Sequence, residues 1–184
     1  HAVSMLSWFV LFAAQPTLIH LGKLRVHRLL GALSPLIVLA FFSFAISISL
    51  LNWGRMGAVL IVTANGINLT IFLGLYIAAI VLRRHAAAHK RLMLYASLSM
   101  MGPAFGRIPE IFDQSPFLAV PFVFAYQLAP PVYDFVKYRR VHPATWIGFG
   151  LLLAAIPAIV GLSGSESWAA VLESVLGPRG GPAH

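Results

Sequence analysis

The sequence predicts an all-α membrane protein, a six-span transmembrane helix bundle with a short C-terminal interfacial helix. Three features carry that expectation: 59% of the 184 residues are hydrophobic, only 10% are charged, and the mean hydropathy is +0.85. A soluble domain runs nearer half apolar and a quarter charged. A single soluble core could not hide so many long apolar runs, so an ordinary cytoplasmic enzyme is excluded.

A span needs about 20 apolar residues, and runs of that size lie at roughly 3–20, 29–52, 57–82, 92–112, 116–136 and 144–163. The first reads as a true span and not a signal peptide, because its cations follow the apolar run and no small-x-small cleavage site is visible. The second opens after His27-Arg28. The third carries Gly66, Thr70 and Gly74, a small-residue stripe that permits close helix approach, and the fourth carries a Gly102/Gly106 step of the same kind. Pro103, Pro121, Pro130-Pro131 and Pro157 remove backbone donors, so each should kink its helix or expose carbonyls to a partner. Gln15, Asn65, Asn68 and Gln127 read as interhelical hydrogen-bonding groups. After the sixth span Ser165 can cap a short helix in which Trp168, Val171, Leu172, Val175 and Leu176 share a face, and Gly177-Pro178 stops it. This divides the chain into a membrane domain (1–164), an amphipathic interfacial helix (165–177) and a flexible tail (178–184).

Charge gives the orientation. The formal net charge of +8 would suggest a nucleic-acid partner in a soluble protein, but here the cations fall in short clusters between apolar runs. Lys23/Arg25/Arg28, Arg83/Arg84/Lys90/Arg91 and Lys137/Arg139/Arg140 all follow odd-numbered segments, leaving only Arg55, Arg107 and Arg179 toward the other side. The positive-inside rule then puts both termini outside the cytoplasm, the chain's partner being the bilayer and not nucleic acid. Cysteine is absent, which excludes disulfides, thiolate metal sites and thiol nucleophiles.

Histidine is the informative residue. His20, His27, His85, His89 and His142 fall on the same predicted side. His27, His89 and His142 begin spans two, four and six, and Asp134 ends span five nearby. Imidazoles at one depth can ligate haem iron, zinc, copper or non-haem iron, and a carboxylate can complete or orient such a set. His27, His89, His142 and Asp134 are therefore the candidate metal ligands. His85 would share a face with His89 if that helix begins early. The competing reading is that these histidines meet lipid headgroups or cap helices. No H-E-x-x-H motif is present, and the histidine count allows at most one haem.

The strings Val26-His27-Arg28-Leu29-Leu30-Gly31, His89-Lys90-Arg91-Leu92-Met93 with Pro103-Ala104 and Arg107 behind it, and Val132-Tyr133-Asp134 followed by Val141-His142-Pro143-Ala144-Thr145 span most of the chain. Together they resemble a group of uncharacterised bacterial polytopic membrane proteins, whose opening helix His1 and Gln15 also fit. The resemblance implies the same six-helix layout and singles out the same residues, with no established activity attached. Transmembrane b-type cytochromes also begin helices with histidine, a likeness of architecture alone.

Arg107 lies near the outer end of span four with Glu110 three residues on, an ion-pair spacing that alternatively offers an anion or quinone-headgroup contact. Three functional classes follow. The first is a redox or metal-binding membrane protein holding one haem b or one metal ion for electron transfer. The second is a non-catalytic accessory subunit of a larger energy-transducing complex, holding lipid, quinone or pigment against other transmembrane subunits. A transporter is less favoured, since no internal repeat and few mid-membrane charges are visible.

Overall fold

In a bilayer every backbone N–H and C=O must be satisfied within the protein, so long apolar runs have little choice but to form helices. The computed structural model describes residues 2–54, 57–102, 105, 118 and 120–178. Among these the order is α1 (Ala2–His20), α2 (Leu24–Leu51), α3 (Ala58–Val81), α4 (Ala86–Ser99), α5 (Val120–Tyr138), α6 (Pro143–Ser163) and α7 (Glu166–Leu176), with no strand. The chain is all-helical, and α1, α2, α3 and α6 are long and apolar enough to cross a membrane. The 19-residue α5 is interrupted by Gln127, Pro130, Pro131, Asp134 and Lys137, which lower its hydropathy. Much of the expected fourth run, including Pro103, Gly106, Arg107 and Glu110, lies outside the described residues.

The chain divides into two compact units, one of residues 1–62 and 169–184 and one of residues 63–168. In the first, α1 packs on α2 through Trp8 and Phe41, both buried, with ring centroids 6.1 Å apart. The turn between them places Gly22 at φ +70°, a left-handed conformation that glycine adopts without steric cost. Gly177, at φ +87°, ends α7 in the same way. Its carbonyl accepts the Trp53 indole N–H at 2.8 Å.

In the second unit α4 packs against α5 and α6. Tyr95, fully buried, is the centre of that packing. A Cβ on Gly148 of α6 would overlap the Tyr95 ring, so only glycine leaves room for it. The Tyr95 hydroxyl donates to the Gln127 carbonyl of α5 at 3.2 Å. That carbonyl would normally bond the N–H four residues on, but residue 131 is proline and has none. Tyr95 thus satisfies a carbonyl that the proline pair leaves without its helical donor.

The small-residue stripe is used differently from the expectation. Gly66, Thr70 and Gly74 are all exposed, and no other described residue of their unit comes within 4 Å of a Cβ placed on either glycine. The close helix contact goes to Gly148 instead, because the bulk that has to be accommodated is the Tyr95 ring. At the start of α7 the expected cap forms, with the Trp168 N–H donating to Ser165 Oγ at 3.4 Å. The Trp168 indole donates to Thr63 Oγ1 at 2.8 Å. Leu172 is buried, whereas Val171 and Val175 of the expected apolar face are exposed.

Candidate functional site

Three helix ends converge in the second unit: the first turns of α4, the last turns of α5 and the start of α6. Arg91 in α4 is only 8% exposed. A guanidinium this buried requires a partner, and Asp134 of α5, 3% exposed, supplies it. Arg91 Nε donates to Asp134 Oδ2 at 2.8 Å and Nη2 to Oδ1 at 2.5 Å, a two-pronged pairing suited to the planar fork. Arg91 Nη1 donates back to the Ala87 carbonyl at 2.8 Å, and its Cζ stands 5.6 Å from the Tyr138 ring centroid.

Asp134 carries more than the arginine. Thr145 Oγ1 of α6, fully buried, donates to Oδ2 at 2.6 Å, and the His142 backbone N–H donates to the same oxygen at 3.3 Å. One carboxylate therefore ties α4, α5 and the N-terminus of α6 together. Both of its oxygens are engaged, so the charge is balanced by the guanidinium and its lone pairs by hydrogen bonds.

His142 is the N-cap of α6. Its Nδ1 accepts the Ala144 N–H at 3.1 Å, with Pro143 at the first helical position, where its missing N–H costs nothing. Accepting at Nδ1 requires that nitrogen to be unprotonated, which leaves the proton of the neutral ring on Nε2. The His142 pKa is lowered, first by burial and then by the charge of Arg91, with Asp134 opposing.

His89, one turn into α4, turns its Nδ1 to the Ala79 carbonyl at 2.8 Å. That carbonyl belongs to the last turn of α3, where helical donors run out. Neutral His89 can donate from Nδ1 and keep Nε2 as an acceptor. His85 occupies the N-cap position of α4, makes no side-chain capping bond, and is exposed. The helix begins after it, at Ala86, because His85 is held in a turn by its own N–H bond to the Leu82 carbonyl at 2.8 Å. The expected common helical face of His85 and His89 therefore does not form.

His27, in the first turn of α2, is half-buried and belongs to the first unit, whereas His89, His142 and Asp134 belong to the second. Of the candidate ligands, Asp134 and His142 are thus brought into contact, through a backbone N–H. Arg107 and Glu110 lie outside the described residues. Among the described residues no group of three or more His, Asp or Glu side chains is placed to hold a metal ion.

Sequence reasoning missed Arg91, Thr145, Tyr95 and Gly148 as members of the polar and packed core. By charge alone Arg91 reads as one of the topological cations. Its distinguishing signal was its place one residue before an apolar run, with a lone acid ending the following one. Thr145 closes the His-Pro-Ala-Thr string but gave no signal of its own. Above the cluster lies an open cavity of about 450 Å³ whose wall includes Lys90, Arg91, Tyr138, Arg140, His142 and Pro143. No family model, curated protein or solved structure matches the chain.

Proposed function

We propose that this chain is a non-catalytic membrane subunit of six spans, set in a bacterial inner membrane with both termini outside, that packs against the spans of partner subunits. One observation carries the reading. Only 11%, 22%, 28% and 22% of the apolar windows of α1, α2, α3 and α6 is buried within the chain. Each span thus keeps a face that the chain itself does not cover, open to lipid or to helices of other subunits. The exposed Gly66/Thr70/Gly74 stripe favours helices, since lipid tails gain little from glycine while a neighbouring backbone gains close contact. The engagement of Asp134 and His142 in holding helices together agrees with a subunit that carries out no chemistry itself.

Purification from native membranes in mild detergent tests this. The chain is expected to co-migrate with a larger complex in stoichiometric amount and to be colourless when separated from it. Gly66→Leu, on an exposed face, should release the partner while leaving the melting temperature of the isolated chain unchanged. A solitary monodisperse protein in native membranes, with the variant behaving alike, would refute the reading.

A second reading rests on His89. Its Nδ1 contact with the Ala79 carbonyl orients the ring and leaves Nε2 for a ligand bond, the arrangement in which haem and metal-binding histidines are held. In that case the chain binds one haem b or a metal ion through His89, with His27, His142 and Asp134 as the other expected participants, and supports membrane electron transfer. Such a protein would be red with a Soret band, or would carry stoichiometric metal, and His89→Ala would abolish the signal.

A further inference from the structure

We propose that the cavity at the ends of α4, α5 and α6 binds the phosphate of an anionic phospholipid headgroup. This inference is independent of the subunit reading above. It needs only that this end of the helices meets the membrane interface.

The chemistry of the wall points to an anion. Lys90, Arg91 and Arg140 all line the cavity, and the sole described carboxylate beside them, Asp134, is committed to Arg91. Among the described residues Lys90 and Arg140 have no acidic partner within ion-pair distance. The cavity therefore presents two uncompensated cations beside a pair that balances itself. His142 adds a donor: with Nδ1 accepting from Ala144, the neutral ring carries its proton on Nε2. Cations and a neutral donor around one opening, with no other carboxylate among the described residues that line it, suit a phosphate group.

The surroundings identify its source. Trp146 and Ile147 stand one turn beyond His142 and Pro143 on the same faces of α6, and they are 55% and 56% exposed. A free phosphorylated solute has no use for this apolar strip, whereas the acyl chains of a lipid would lie along it while the headgroup stays in the cavity. Basic pockets between membrane helices at the interface hold anionic headgroups in this manner.

Arg139 provides an internal control. It belongs to the same α5–α6 connection, is exposed, and does not line the cavity. Arg139→Gln and Arg140→Gln therefore change the net charge equally, one residue apart. Lys90→Gln is a third variant, on an exposed side chain whose loss should not disturb folding.

Native mass spectrometry of the full chain in a zwitterionic detergent, titrated with phosphatidylglycerol, phosphatidylcholine or inorganic phosphate, reads the site. The intact chain is expected to retain phosphatidylglycerol in preference to phosphatidylcholine. Lys90→Gln and Arg140→Gln should each weaken that retention roughly fivefold, the usual contribution of one cation near an anionic surface. Arg139→Gln should change it by less than about twofold, since the charge lost is outside the cavity. Equal losses in all three variants would mean diffuse attraction and overturn the site. No preference for the anionic lipid would overturn it too. Saturable binding of inorganic phosphate that matches or exceeds the lipid would overturn the lipid assignment in favour of a soluble phosphate ligand.

Discussion

Replacing Asp134 by Asn would leave the Arg91 guanidinium, 8% exposed, without the only carboxylate among the described residues that is placed to balance it. The amide oxygen could still accept from Thr145 and from the His142 N–H. The amide nitrogen, however, would turn a donor toward the fork of Arg91, which also only donates. Breaking a buried pair by removing one partner costs about 3–5 kcal/mol, because the remaining charge stays desolvated. At about 1.4 kcal/mol per factor of ten, the folding equilibrium should fall by roughly two to three and a half powers of ten. Equilibrium unfolding in mixed micelles, with SDS as denaturant and Trp fluorescence as the signal, measures this directly. The double variant Arg91→Met, Asp134→Leu should recover most of the loss, since two apolar residues need no compensation. A single-variant cost below about 1 kcal/mol, the range of exposed ion pairs, would refute the claim that this pair is desolvated. Strict additivity in the double variant would refute the pairing itself.

Gly148→Ala should destabilise by about 1–3 kcal/mol, because the added methyl must displace the buried Tyr95 ring, and the change in melting temperature of the detergent-solubilised protein checks it. Tyr95→Phe should cost about 1–3 kcal/mol by leaving the Gln127 carbonyl without its donor, and less in a Pro131→Ala background that restores the helical N–H; equal costs in both backgrounds would argue against this compensation. His142 titrates with a lowered pKa when folded, so the unfolded chain takes up the proton first and stability should fall as the pH drops from about 6.5 through the lower folded value. His142→Asn, which keeps an N-cap acceptor but does not titrate, should flatten that part of the curve in melts run between pH 8 and pH 5.

Fold class was legible in the sequence because it depends on sums. A mean hydropathy of +0.85 with 10% charge requires helices in a bilayer wherever apolar runs are long enough. The caps at His142 and Ser165, the stop at Gly177 and the need of the Pro130-Pro131 pair for an outside donor were local matters of the same kind, decided within a few residues. The site was legible only in part. His142 and Asp134 were marked out by depth and charge, but depth along a span does not say which side chains meet.

What tertiary structure alone decided is the choice of partner. Arg91 and Asp134 are 43 residues apart, and the local spacing around either one does not pair it with the other. Their pairing exists because α4 begins where α5 ends, and neither charge can be left unpaired once buried. Likewise, the sequence offers several glycines on helices, while only the position of the Tyr95 ring makes Gly148, among the described glycines, the one in close contact with a neighbouring helix. Composition and local spacing settle how each segment folds, since those energies are summed within the segment. The meeting of particular side chains depends on the lateral order of the helices, and packing sets that order over distances that local spacing does not encode.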